Sequence, residues 1–166
     1  MRNSTIAALF AAMLLAAGCG GPKSQVLPEE AVNFRAYRHV GIPPFVDKKG
    51  KGAEIAAAFD AEMGGGLYEP MDQKAFAQVL AKYKPDRDLG YGIEALEFIR
   101  QQTGADSLIL GRAMPDWSAV SITMVELDTG ATILHAILRP RGRGKKAFAA
   151  PEEIAKEFSR VYRTLR

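Results

Sequence analysis

The chain has 166 residues, 48% hydrophobic and 25% charged, with a formal net charge of +3. That composition is that of one globular domain with a full core, and it excludes a disordered chain or one that crosses a membrane many times. A single cysteine excludes a disulfide framework.

In chain order, the first feature is Met1-Arg2, an apolar run from Ile6 to Ala17, and Leu15-Ala16-Ala17-Gly18-Cys19. A basic residue, a short apolar segment and small residues before a cut site describe a secretory signal. The run is too short for a membrane span, which needs about 20 apolar residues. The small residues ahead of the lone cysteine resemble the bacterial lipobox, in which the thiol is diacylated, the signal is cut and the new amine is acylated. The alternative is an ordinary signal peptide with a chance cysteine. Residues 1–18 are therefore expected to be a lipoprotein signal peptide, 19–31 the lipidated Cys19 and a tether, and 32–166 a single globular domain. One acyl chain anchors only marginally and two suffice, so acylated Cys19 would hold the protein at membrane lipid without a transmembrane helix. Gly20 stands where the enterobacterial sorting rule reads Asp as a retention signal. By that resemblance the anchor points to the periplasmic face of the outer membrane.

Arg38 to Val46 reads as a strand through Val40, Ile42 and Phe45, with Pro43-Pro44 ending its pairing or placing it at an edge. Ile55, Phe59 and Met63 form a helical stripe that stops at Gly64-Gly65-Gly66. Leu67 to Pro70 is a short extended piece, and Asp72 is a natural N-cap for a helix carrying Phe76, Val79, Leu80 and Tyr83 on one face. A charged loop from Lys84 to Tyr91 leads to a helix that ends at Gly104. The period then changes. Ser107 to Met114 contains the continuous apolar Leu108-Ile109-Leu110 of a strand covered on both faces, and Trp117–Leu127 and Ala131–Arg139 form a hairpin around Asp128-Thr129-Gly130. Pro151 opens a last helix with Glu152 and Glu153 in its first turn and a core stripe of Ile154, Phe158, Val161 and Leu165. Arg160, Arg163 and Arg166 lie toward its negative end. The order β-α-(β)-α-α-β-β-β-α defines an α/β fold, a mixed sheet with helices packed on it and a C-terminal amphipathic helix.

The residues offer little chemistry. His39 and His135 fall inside strands and belong to no ligand motif, Glu94 and Glu97 share a solvated helix face, and no nucleophile elbow, zinc motif or paired-carboxylate signature is present. An enzyme, a cofactor and a metal site are not expected. Lys48-Lys49-Gly50-Lys51-Gly52 opens a helix without matching a phosphate-binding loop, and reads as a solvated loop with anion contact as the alternative. Nine Lys or Arg stand against three Glu from Arg139 to Arg166. Arg139, Arg141, Arg143, Lys145 and Lys146 alternate with Pro140, Gly142 and Gly144, so these charges project from irregular structure. They are either a solvated run or a contact for anionic lipid head groups or an acidic polysaccharide. Nucleic acid is not expected, because no aromatic stacking set is interleaved. Trp117 is either a core or sheet-end plug or a partner interface.

Three segments carry a family resemblance: Val40-Gly41-Ile42-Pro43-Pro44-Phe45, then Gly104-Ala105-Asp106-Ser107-Leu108-Ile109-Leu110-Gly111, then Val125-Glu126-Leu127-Asp128-Thr129-Gly130. Together they resemble the CsgG/LpoB/TolB-N-terminal-like superfamily of bacterial envelope lipoproteins, and Gly111 to Trp117 is similar to the PelC-like branch. The resemblance implies an accessory or assembly subunit of a cell-envelope secretion or surface-biogenesis system, with an envelope protein partner and homo-oligomer formation. The alternative it leaves is a monomeric regulatory lipoprotein that docks onto a periplasmic enzyme such as a peptidoglycan synthase.

Overall fold

The computed structural model describes residues 23–64, 66–69, 71–83 and 91–166. Cys19, the signal segment and most of the charged loop before Tyr91 lie outside them. The described elements are β1 (Gln25–Pro28), β2 (Val40–Gly41), α1 (Gly52–Met63), α2 (Gln73–Leu80), α3 (Ile93–Thr103), β3 (Ser107–Ala113), β4 (Val120–Glu126), β5 (Thr132–Leu138) and α4 (Pro151–Tyr162). The five strands make one mixed sheet in the order β1-β5-β4-β3-β2. β2 runs parallel to β3, and the other pairs are antiparallel.

Helices pack on both faces of the sheet. Ile109, Val120, Ile122, Met124, Leu134, Ala136 and Leu138 point to one face, where they pack with Ile55, Phe59 and Met63 of α1 and Ile154 and Phe158 of α4. The rings of Phe45, Phe59 and Phe158 run through this core, with centroids 4.9 and 5.3 Å apart in succession. The opposite face holds Leu108 and Val125 against Phe76 and Leu80 of α2 and Leu96 and Ile99 of α3. Each fully buried leucine, isoleucine or phenylalanine contributes about 1.5–3 kcal/mol, so the two clusters hold the helices in place.

The caps follow the sequence signals. Asp72 accepts from the backbone N–H of Lys74 and Ala75 at 2.9 and 3.0 Å. Gly104 ends α3 in the left-handed region at φ 69°, where a side chain would be strained. Two residues on, the Asp106 carboxylate accepts from the backbone N–H of Arg38 and His39 at 2.8 and 2.9 Å. The Gly104-Ala105-Asp106 motif therefore stops one helix and fixes the entry to β2.

The structure departs from the sequence reading at four places. The sheet includes Gln25–Pro28, ahead of the expected opening of the fold at Val32, because β5 supplies a partner that no local pattern reveals. The strand expected over Arg38–Val46 forms a ladder only at Val40 and Gly41, after which Pro43-Pro44 removes donors and Val46 rejoins the sheet through one bridge to Arg112. Among the described residues the extended piece after Leu67 forms only isolated bridges, from Glu69 to His39 and from Tyr68 to Gly64. β4 begins at Val120, since Trp117 sits in a turn at φ 61°.

Candidate functional site

Antiparallel pairing of β1 with β5 brings the N-terminal segment and the basic segment out at the same end of the sheet. Ser24, just before β1, accepts from the Arg139 backbone N–H at 3.0 Å through its hydroxyl. The same hydroxyl donates to the Glu157 carboxylate at 2.6 Å. Glu157 is 6% exposed on α4 and is paired with Arg160 at 2.7 Å, with the Arg141 guanidinium 3.9 Å away. Burial alone would raise this carboxyl, but hydrogen bonds from Arg160 and Ser24 and the charges of Arg160 and Arg141 hold it below its ordinary value. A buried carboxylate thus fastens the N-terminal strand, the basic loop and the last helix together.

Residues 141–146 are exposed. Gly142 and Gly144 turn the chain at φ 121° and 80°. Lys145 pairs with Glu153 at 2.8 Å, and the other carboxylate oxygen of Glu153 accepts from Ala149 N–H. Arg143 and Lys146 have no ion pair among the described residues.

The lysine-rich loop before α1 comes to the same end. β3 and β4 are joined there by the turn from Met114 to Ala119, and the bridge from Val46 to Arg112 sets the loop beside it. Trp117 is the junction. Its indole N–H donates to Asp47 at 2.9 Å, the Lys49 ammonium lies 4.3 Å from its ring, and its carbonyl accepts from Phe148 N–H at 3.0 Å. Asp47 also accepts from Lys51 N–H at 2.9 Å, so the helix entry that could take an external anion is already occupied by the loop's own carboxylate. Burial raises the Asp47 carboxyl, but the Trp117 and backbone hydrogen bonds and the Lys49 charge leave it below its ordinary value. Trp117 itself is 2% exposed. The ring considered as an interface is thus a buried strut, holding one basic loop against the other.

The far end of the sheet is ion-paired. Arg38 meets Glu69 at 2.6 Å and Arg100 meets Asp128 at 3.0 Å. Arg166 donates to the Leu67 carbonyl, and the Arg35 Nε donates to the Arg166 carbonyl at 2.6 Å. Arg35, Arg38, Arg163 and Arg166 line an open cleft of about 480 Å³. Along the chain, Arg163 and Arg166 stand only as partners of a helix dipole. His39 contacts Glu69 at 2.8 Å and His135 lies 3.4 Å from the Thr123 hydroxyl, so the two histidines stay apart. Among the described residues no group of histidines, cysteines and carboxylates could hold a metal ion, and no helix is long and apolar enough to cross a membrane.

A variant PelC dodecamer from Paraburkholderia phytofirmans is similar with a TM-score of 0.51 at 15% identity, over 85% of this chain and 96% of that one. LpoB from E. coli has a TM-score of 0.45 at 15% identity, over 60% of this chain and 56% of that one. A DUF4136 family protein from Bacteroides thetaiotaomicron has a TM-score of 0.48 at 12% identity, over 84% and 95%. No family profile matches the chain, and no curated protein does. The fold is that of the PelC subunit, and at this identity the likeness concerns fold alone.

Proposed function

We propose that this protein is a non-catalytic lipoprotein of the cell envelope, held on the periplasmic face of the outer membrane by acylated Cys19, and that it works by assembling with copies of itself in a secretion or surface-biogenesis system. The observation that carries this reading is a fold shared with the subunit of a PelC dodecamer. An unfinished sheet supports it. β1 is an edge strand, and Leu27 on it is 66% exposed. Leu27 stands opposite His135, which stands opposite Thr123, and the row of Gln25, Ile137 and Ser121 lies beside it. Neither α2 nor α3 has a core contact with this strip. An edge whose outer hydrogen-bonding row has no strand partner among the described residues, with an exposed leucine, suits head-to-tail contact, which closes into a ring when its rotation allows.

Sedimentation of the mature protein over a range of concentrations tests this. A discrete high-order species is expected, and Leu27→Glu should shift it toward monomer without changing the circular dichroism spectrum. A wild-type protein that stays monomeric throughout would overturn self-assembly and leave the regulator that docks onto a periplasmic enzyme.

A further inference from the structure

We infer that the end of the sheet carrying Ser24 and both basic loops is a docking face for anionic lipid head groups, so that the domain lies on the bilayer that holds its anchor. This inference rests on the acylation of Cys19. Ser24 stands five positions after Cys19, and a fully extended chain of that length reaches only roughly 18 Å. Ser24 is fixed to Arg139 and Glu157, so the lipid is confined to the neighbourhood of the basic loop.

The charges at this end fall into two sets. Lys51 is matched by Glu54, Lys145 by Glu153 and Arg141 by Glu157, while Asp47 is consumed by Trp117 and Lys51, and Asp116 by Ser118. Lys48, Arg143 and Lys146 have no acidic partner among the described residues, and Lys49 rests on an indole ring. Lys49 also faces Asp47 and Asp116, whose carboxyls its charge helps to lower, so Lys48, Arg143 and Lys146 are the cations left available to phosphate. Apolar side chains stand among them, with Val46 53% exposed and Met114 52% exposed, the latter on the turn after β3. Exposed cations around an apolar tip, beside an acyl chain, form the two-signal arrangement that stable membrane attachment requires. An acidic polysaccharide would satisfy the charges but would leave the apolar tip and the short leash without a role.

The test uses the single cysteine. Once Cys19 is acylated, Met114→Cys or Gln101→Cys supplies the one free thiol for a fluorophore, the first at the basic end and the second near the ion-paired end. The mature protein is placed on phosphatidylglycerol vesicles containing nitroxide lipid. Quenching is expected at position 114 and not at 101. Replacing Lys48, Arg143 and Lys146 with Ala should remove most of it, each lost charge weakening contact roughly fivefold at low salt. Equal quenching at both positions, or quenching only at 101, would overturn the docking face. Retention by alginate with no quenching at 114 would overturn it in favour of an acidic polysaccharide. The mass of the same preparation reports acylation separately. An unmodified Cys19 would sink the anchor, and quenching at 114 by a Met114→Cys chain that also carries Cys19→Ser would then still uphold the face.

Discussion

Glu157 is the residue on which the architecture of the basic end turns, and its environment fixes how that end responds to acid. Its carboxyl is held below the ordinary carboxylate value in the folded protein, although burial opposes this. A group depressed on folding contributes stability that is complete above its unfolded pKa and lost as pH falls through the folded one. The thermal midpoint should therefore fall as pH drops below about 4.5, the ordinary glutamate value. Glu157→Gln should remove this part of the pH dependence and cost about 1–2 kcal/mol near neutrality, the charge-assisted bond being tempered by the half-exposed Arg160. An unaltered acid limb in calorimetry would show that Glu157 does not fasten the loop. Little of this was legible in the sequence. Asp72 and Gly104 announce themselves because a cap works on its own neighbours, whereas Ser24 acts on residues 115 and 133 positions away.

Among the elements, those with a stripe of their own could be read from the sequence. Ile55, Phe59 and Met63 of α1 are fully buried, as their spacing predicts, and the apolar run in β3 is covered on both faces. β1 could not be read, because four residues ending in proline with mostly exposed side chains carry no alternation. Likewise, the two basic loops were separate features along the chain, and only the sheet makes them neighbours. β3 also shows why glycine stands at position 111. A Cβ on Gly111 would lie 2.1 Å from the Phe45 ring, whose other contacts are Phe59 and the core. Gly111→Ala should therefore destabilise the domain by roughly 1–3 kcal/mol through overpacking, read as a lower denaturant midpoint. A midpoint equal to wild type would mean that Phe45 moves aside freely, and that the close approach of β3 to the Pro43-Pro44 segment is not constrained.

For the whole molecule, attachment is the property that every surface argument depends on. Cys19→Ala should leave an uncleaved precursor and abolish incorporation of a labelled fatty acid, while the folded domain keeps its melting behaviour. Labelling that persists in this variant would remove the lipoprotein reading altogether. The described sheet begins six positions after Cys19, so an acyl chain on that residue would hold the domain within a short reach of the bilayer.

The pairing of β1 with β5 also sets a timetable. Ser24 finds Arg139 only after 115 further residues have been made, so the first strand of the chain is the last to acquire its neighbour. Closing so long a loop is slow compared with hairpin formation between β4 and β5. Until that loop closes, the chain holds an open β5 edge and an unpaired β1 segment, the two surfaces most able to capture the equivalent strand of another copy. A sheet whose first described strand closes against its last is thus most exposed to mispairing in the time before that closure.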